Sequence, residues 1–213
     1  DVVLFIMLVV GGRVIPMFTN NGVPGAAATR HAMVEKIALG SVIVLFFSEL
    51  LSLSSVLIGV FVLVSGVAQA TRLCLWKPWR TLATPLVWIL HVAFLWIVIH
   101  LLMRGATELC WVTGSYATHA LTLGAIGSLT LGMMMRTARG HTARPLVADS
   151  AETTIFWLVQ GAAATRVFGG IVSSELYMPS VQLAALLWAA AFGLYAVRYW
   201  PVLTRPRLDG KPG

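Results

Sequence analysis

Seven stretches of about twenty mostly apolar residues, each closed off by a short run of glycine, proline or charge, leave this chain one class of fold. They lie at about 2–18, 37–55, 56–75, 85–103, 116–135, 152–172 and 181–200. A hydrocarbon layer roughly 30 Å thick takes about 20 helical residues to cross. In lipid the backbone must satisfy its own hydrogen bonds, so a continuous apolar run of that length is a helix. The expected fold is all-α: a polytopic transmembrane helix bundle of about seven spans, one unit over residues 1–213. Composition agrees, because 11% of residues are charged and 58% hydrophobic, against roughly 25% charged in soluble domains. Mean hydropathy is +0.85. The sequence pI of about 10.1 would suit a nucleic-acid binder. The basic residues, however, sit between the apolar runs, which argues against nucleic acid and for lipid surroundings.

Their placement also orients the chain. Arg13, Arg30, Lys36, Arg72, Lys77, Arg80, Arg136, Arg139, Arg144, Arg198, Arg205, Arg207 and Lys211 fall on one side of the predicted topology. Arg104 falls on the other, and Arg166 lies within a span. By the positive-inside rule the basic side and the C-terminus are cytoplasmic. Trp76, Trp79, Tyr199 and Trp200 are expected to mark that interface, and Trp111, Tyr116 and Tyr177 the other. Connections are expected at Thr19–Gly25, Lys77–Pro85, Thr137–Asp149 and Tyr177–Ser180, with a tight turn around Ser52, Ser54 and Ser55. Cys74 and Cys110 fall at opposite ends of the spans, too far apart to bridge. Ala120, Gly124, Ser128 and Gly132, spaced by four, and Gly161, Thr165 and Gly169 predict close helix packing. Asp1 is followed at once by the apolar run Val2–Val10, as expected of a helix cut at its N-terminal end.

Ionisable groups at membrane depth cost roughly 2.5–3.5 kcal/mol each on insertion scales, so each needs a reason. Glu49 in span 2 and Arg166 in span 6 fall at similar predicted depth and are placed to pair, as a structural ion pair, along a proton or ligand path, or as a partner for a cofactor propionate. The histidines form two tiers. His100 and His119 lie at matched depth toward the outer side of antiparallel spans, a spacing that suits axial ligation of a haem. His91, nine positions before His100, is turned to the other side of its helix. With His31 or His141, in the basic connections, it is a candidate for a second metal site that suits copper as well as iron. A hydrogen-bonded interhelical histidine is the simpler reading of each alone. No nucleophile elbow, phosphate loop, dinucleotide fingerprint or zinc-protease motif is present.

Three stretches together resemble the NnrS family of haem- and copper-containing membrane proteins. The first is Gly11-Gly12-Arg13-Val14-Ile15-Pro16-Met17-Phe18-Thr19-Asn20-Asn21-Gly22. The second is Pro78-Trp79-Arg80 with Pro85-Leu86-Val87-Trp88-Ile89-Leu90-His91. The third starts at His119-Ala120-Leu121-Thr122-Leu123-Gly124 and ends with Met133 to Thr142 and Arg144-Pro145-Leu146. The resemblance implies haem b and copper, a role in the bacterial nitric oxide response or denitrification, and nitric oxide or an iron-nitrosyl species as ligand. It also implies a longer protein in the cytoplasmic membrane, of which this chain is the C-terminal half. His91, His119 and His141 lie in the resembling stretches and His100 is added by geometry. Arg13, Arg136, Arg139 and Arg144 are candidates to neutralise haem propionates.

Two other classes of function fit the same residues. A transporter or channel would line its path with Glu49, Arg166, Gln69 and Gln160. A cofactor-free assembly partner would need none of the histidines.

Overall fold

The computed structural model describes residues 1–211. Seven helical spans cross the bundle in alternating directions: α1 (Val2–Gly22), α2 (Ala32–Leu50), α3 (Ser55–Leu75), α4 (Pro85–Glu108), a composite span, α7 (Ser150–Val172) and α8 (Tyr177–Thr204). The composite span is α5 (Gly114–His119), a π-helical segment (Ala120–Gly127) and α6 (Ser128–His141). Six of the seven are long and apolar enough to cross a membrane; α2 falls short because Glu35, Lys36 and Glu49 lie within it. The chain is therefore a multi-pass membrane protein. Val10, Phe47, Val56, Val67, Trp157, Leu186 and Val197 are all more than half exposed. In water such a surface would aggregate, whereas in a bilayer it is the lipid contact.

α4 is the axis of the bundle. Of its apolar window 72% is buried, against 17% for α8, the outermost span. Pro85 sits at its first turn, where a missing N–H costs nothing. Leu86, Ile89, Leu90, Phe94, Ile97 and Leu101 are fully buried around it. α7 begins with a capping box: Asp149 accepts from the Glu152 N–H at 2.9 Å, and Glu152 accepts from the Asp149 N–H at 3.0 Å.

Several boundaries differ from the sequence expectation. α1 runs on to Gly22, through the expected connection, and α2 starts at Ala32 rather than 37. The Glu35 charge is tolerated inside α2 because Arg72 meets it. The outer turn before α8 is Ser173–Leu176, so Tyr177–Ser180 is helix. Trp76 and Tyr199 are buried within the bundle at 0% and 1% exposure and do not mark the interface, whereas Trp79, Trp200, Trp111 and Tyr177 are exposed at the two ends. The glycines of the four-residue stripe on the fifth span pack against α4, the close approach expected of small residues. Gly124 and Gly132 meet Trp96, Ile89 and Leu90 of α4, while Ser128 turns to Gln160 of α7. A Cβ on Gly169 would lie 2.3 Å from Ser180 Cβ, so the expected close approach is present between α7 and α8.

Candidate functional site

The intramembrane polar groups gather in separate clusters along the bundle. At the end of the bundle away from the basic side, Arg104 of α4 pairs with Asp1 at 2.5 Å and with Glu49. Glu49 is the penultimate residue of α2, near the mouth of the bundle, not at mid-depth. The expected Glu49–Arg166 pair is therefore not formed. The cause is the earlier start of α2, which carries its last turn to the outer end. Gln69 and Gln160 do not join a common path with them. Gln69 donates to the Ala38 carbonyl at 2.8 Å and accepts from Arg72; Gln160 accepts from Trp96 at 2.7 Å and donates to Ser128.

His100 lines a cleft of about 270 Å³ with Arg104, Glu49, Glu108, Thr118 and Leu121. Its Nδ1 lies 2.8 Å from the Ala117 carbonyl oxygen. A carbonyl can only accept, so Nδ1 carries the proton and, in the neutral ring, Nε2 holds the free lone pair. His119 is not opposite it. Ala117 and His119 are two residues apart on α5, about 200° of rotation. The helix face that His100 touches is thus turned away from the His119 position. Matched depth is legible in the sequence; rotation about the helix is not.

His119 turns instead toward α7, where Arg166 lies within electrostatic reach. Its Nδ1 and the Arg166 Nη1 are both buried without a hydrogen-bond partner. The π-helical segment starts at the next residue, Ala120. π-turns gather at functional positions, because they redirect side chains that a regular helix would place elsewhere.

His91 is buried at 2% exposure in the seam of α1 and α4. The Thr19 hydroxyl donates its one proton to the Ile15 carbonyl at 2.8 Å. It must therefore accept from His91 Nε2–H, also at 2.8 Å. The proton is thus on Nε2, and the lone pair of Nδ1 is left buried with no donor. The Trp76 indole, with ring centres 6.5 Å apart, packs edge-on beside it, and its own N–H is also without a partner. Toward the basic end, Arg136 is 6% exposed and forms no ion pair among the described residues. Its guanidinium stacks 4.1 Å from the centre of the Phe18 ring. The three distinctive sequence stretches thus meet here: Phe18 and Thr19 from the first, His91 from the second, Arg136 from the third.

Arg13, His31 and His141 are exposed and stand apart from this cluster. Among the described residues no three His, Cys, Asp or Glu side chains converge as a metal cage. Arg139 is committed elsewhere: it forms a two-pronged pair with Glu152, both contacts 2.8 Å. The Tyr199 hydroxyl donates to the same carboxylate at 2.5 Å. Beside it, burial pushes the Asp149 carboxyl up, but the Glu152 N–H and the Arg198 guanidinium outweigh it and hold its pKa below the ordinary carboxylate value.

Two networks escape a reading of the sequence. Arg72, 1% exposed, donates to Glu35 at 3.1 and 2.9 Å, to Gln69 at 2.9 Å and to the Leu8 carbonyl at 3.2 Å, tying α1, α2 and α3 together. Its position near a span end suggests a headgroup cation instead. The Asp149–Glu152 box is legible as D-x-x-E before an apolar run, but its further partners Arg139 and Tyr199 are not.

No curated protein and no solved structure matches the chain. A family model described as NnrS protein matches residues 1–207. That match spans α1 through the end of α8 and takes in the seam where Thr19, His91 and Arg136 come together; the chain belongs to the NnrS family.

Proposed function

We propose that this chain is a haem-binding integral membrane protein of the bacterial nitric oxide response, set in the cytoplasmic membrane with its basic end inward. His100 is the imidazole we assign to the iron. The observation that carries this choice is the Ala117 carbonyl on His100 Nδ1–H. An acceptor on the far ring N–H fixes ring orientation and tautomer in metal-ligating histidines and raises the basicity of the other nitrogen. His100 lines a cleft, which gives its imidazole access to a ligand. At about 270 Å³ the cleft lies just below the roughly 300–1,000 Å³ of usual ligand pockets, so it would enclose only part of a haem.

The donor set favours haem over a copper centre of three protein ligands. Haem brings four nitrogens of its own and needs one or two more. The histidines here offer bare nitrogens singly, and no three-ligand group forms among the described residues. When bound, a haem held by one imidazole supplies a free coordination position for nitric oxide. The chain's own residues do the rest. The Ala117 carbonyl aims His100, Arg104 with Asp1 and Glu49 sets the charge at the mouth of the cleft, and Leu121 adds an apolar wall.

A second reading places a metal at His91, through Nδ1. It is favoured by the meeting of the three family stretches there and by Arg136, a cation without a carboxylate that suits a propionate. Haem content and reduced-minus-oxidised spectra of the purified chain decide between the two. Loss of the haem signal in His100→Ala, with His91→Ala retaining it, supports the first reading. The reverse supports the second. Folded protein with no haem signal after supplementation, and no bound metal, sinks both.

A further inference from the structure

At the end of the bundle away from the basic side, α5 and α7 run antiparallel, and one contact fixes which of their faces meet. A Cβ on Gly170 would lie 2.5 Å from the Tyr116 hydroxyl and 3.0 Å from the Tyr177 ring, so Tyr116 is seated on the Gly170 backbone. His119 is one turn deeper than Tyr116 on α5, and Arg166 one turn deeper than Gly170 on α7. In antiparallel helices these are the next pair along the same seam. Both offer an unfilled polar atom there, Nδ1 of His119 and Nη1 of Arg166, each buried without a partner.

Arg166 forms no ion pair among the described residues. A cation within a span ordinarily finds a counter-charge or extends to the headgroups. Here the guanidinium lies 5.5 Å from the centre of the Tyr177 ring and its Nη1 is buried, so it is held in the bundle. A guanidinium N–H beside an imidazole N–H presents two donors to one oxygen-bearing anion. Both residues sit about 7.5–9 Å in from their helix ends, at the boundary of headgroups and acyl chains. The π-helical segment that opens at Ala120 adds a local device for aiming the His119 ring.

We propose that Arg166 and His119 form an oxyanion-binding site at the outer end of the α5–α7 seam, which takes a phosphate group between the Arg166 guanidinium and the His119 imidazole. That phosphate belongs either to an anionic lipid headgroup or to a free anion. The site is independent of the haem reading, because no iron enters it and its readout needs none.

The test is the thermal unfolding midpoint of the whole chain in detergent. It is titrated with sodium phosphate at constant ionic strength, and separately with phosphatidylglycerol against phosphatidylcholine. A saturable rise is expected with at least one of them. Arg166→Gln should raise the half-saturating concentration at least tenfold. Arg166→Lys, which keeps the charge and loses the fork, and His119→Gln should each raise it several-fold. Arg205→Gln, an exposed cation at the basic end, should leave it unchanged. If Arg166→Gln does not fold, Arg166→Lys and His119→Gln still carry the test. A response to phosphate identifies a free anion, and a response to phosphatidylglycerol alone identifies a headgroup; either upholds the site. The proposal is overturned by no saturable response to either, or by saturation unchanged in Arg166→Lys and His119→Gln.

Discussion

Adding one methyl group at Gly12 should cost the bundle about as much as breaking a buried ion pair. A Cβ there would lie 1.7 Å from Arg72 Nη2 and 2.9 Å from its Cζ. Ordinary contact begins near 3.5 Å, so the guanidinium must retreat by nearly 2 Å. It has nowhere to go without loss, because Nη2 holds both the Leu8 carbonyl at 3.2 Å and Glu35 at 2.9 Å. Removing such a buried, charge-assisted set costs about 3–5 kcal/mol when one partner is left unmatched. Helix propensity returns only about 1 kcal/mol for glycine to alanine. Gly12→Ala is therefore expected to destabilise the bundle by about 2–4 kcal/mol. Gly11 is the matched control. A Cβ there meets Ile15 and Phe94 at 3.6–3.8 Å, ordinary van der Waals contact, so Gly11→Ala should be neutral or stabilising. Unfolding of the two variants by sodium dodecyl sulfate in mixed micelles gives the comparison. If Gly12→Ala is as stable as Gly11→Ala, the account of Arg72 as a fixed three-helix tie is refuted.

At the basic end, Glu152→Ala should cost about 3–5 kcal/mol by stranding Arg139. Tyr199→Phe, which removes one donor to the same charged carboxylate, should cost about 1.5–3 kcal/mol in the same assay. Asp149 has a folded pKa below its unfolded value, so its contribution is complete above the ordinary aspartate pKa near 4 and is lost as pH falls through the lowered folded value. Unfolding midpoints measured down the acid range should fall more steeply for the wild type than for Asp149→Asn, and parallel curves would contradict this. The two exposed cysteines report orientation: in intact cells a membrane-impermeant maleimide should label Cys110, and reach Cys74 only after permeabilisation.

The spans are legible because each is a long apolar run, which gives their number, and their expected orientation follows from charge placement. Rotation and side-chain choice are not written in the same way. The sequence pattern puts Glu49 at mid-depth because Glu35 and Lys36 look like a boundary, yet helix α2 runs through them once Arg72 answers Glu35. His100 and His119 share a depth, but a difference of two residues at Ala117 decides which face of α5 each one sees. The π-helical segment after His119 leaves no pattern in the residues themselves, since Ala120–Gly127 reads as ordinary apolar helix. His91 stands out by its sequence surroundings, while its bare nitrogen becomes visible only through Thr19, which spends its proton on Ile15.

The most direct test of the functional account is the optical spectrum of the haem-loaded ferrous protein before and after nitric oxide is added. Ligation by His100 alone predicts an open iron that takes up nitric oxide at once, with a shifted Soret band, and loss of haem in His100→Ala but not in His119→Ala. A low-spin spectrum unmoved by nitric oxide, and abolished equally by either substitution, would show the two histidines acting as an axial pair and would contradict the geometry described for α5.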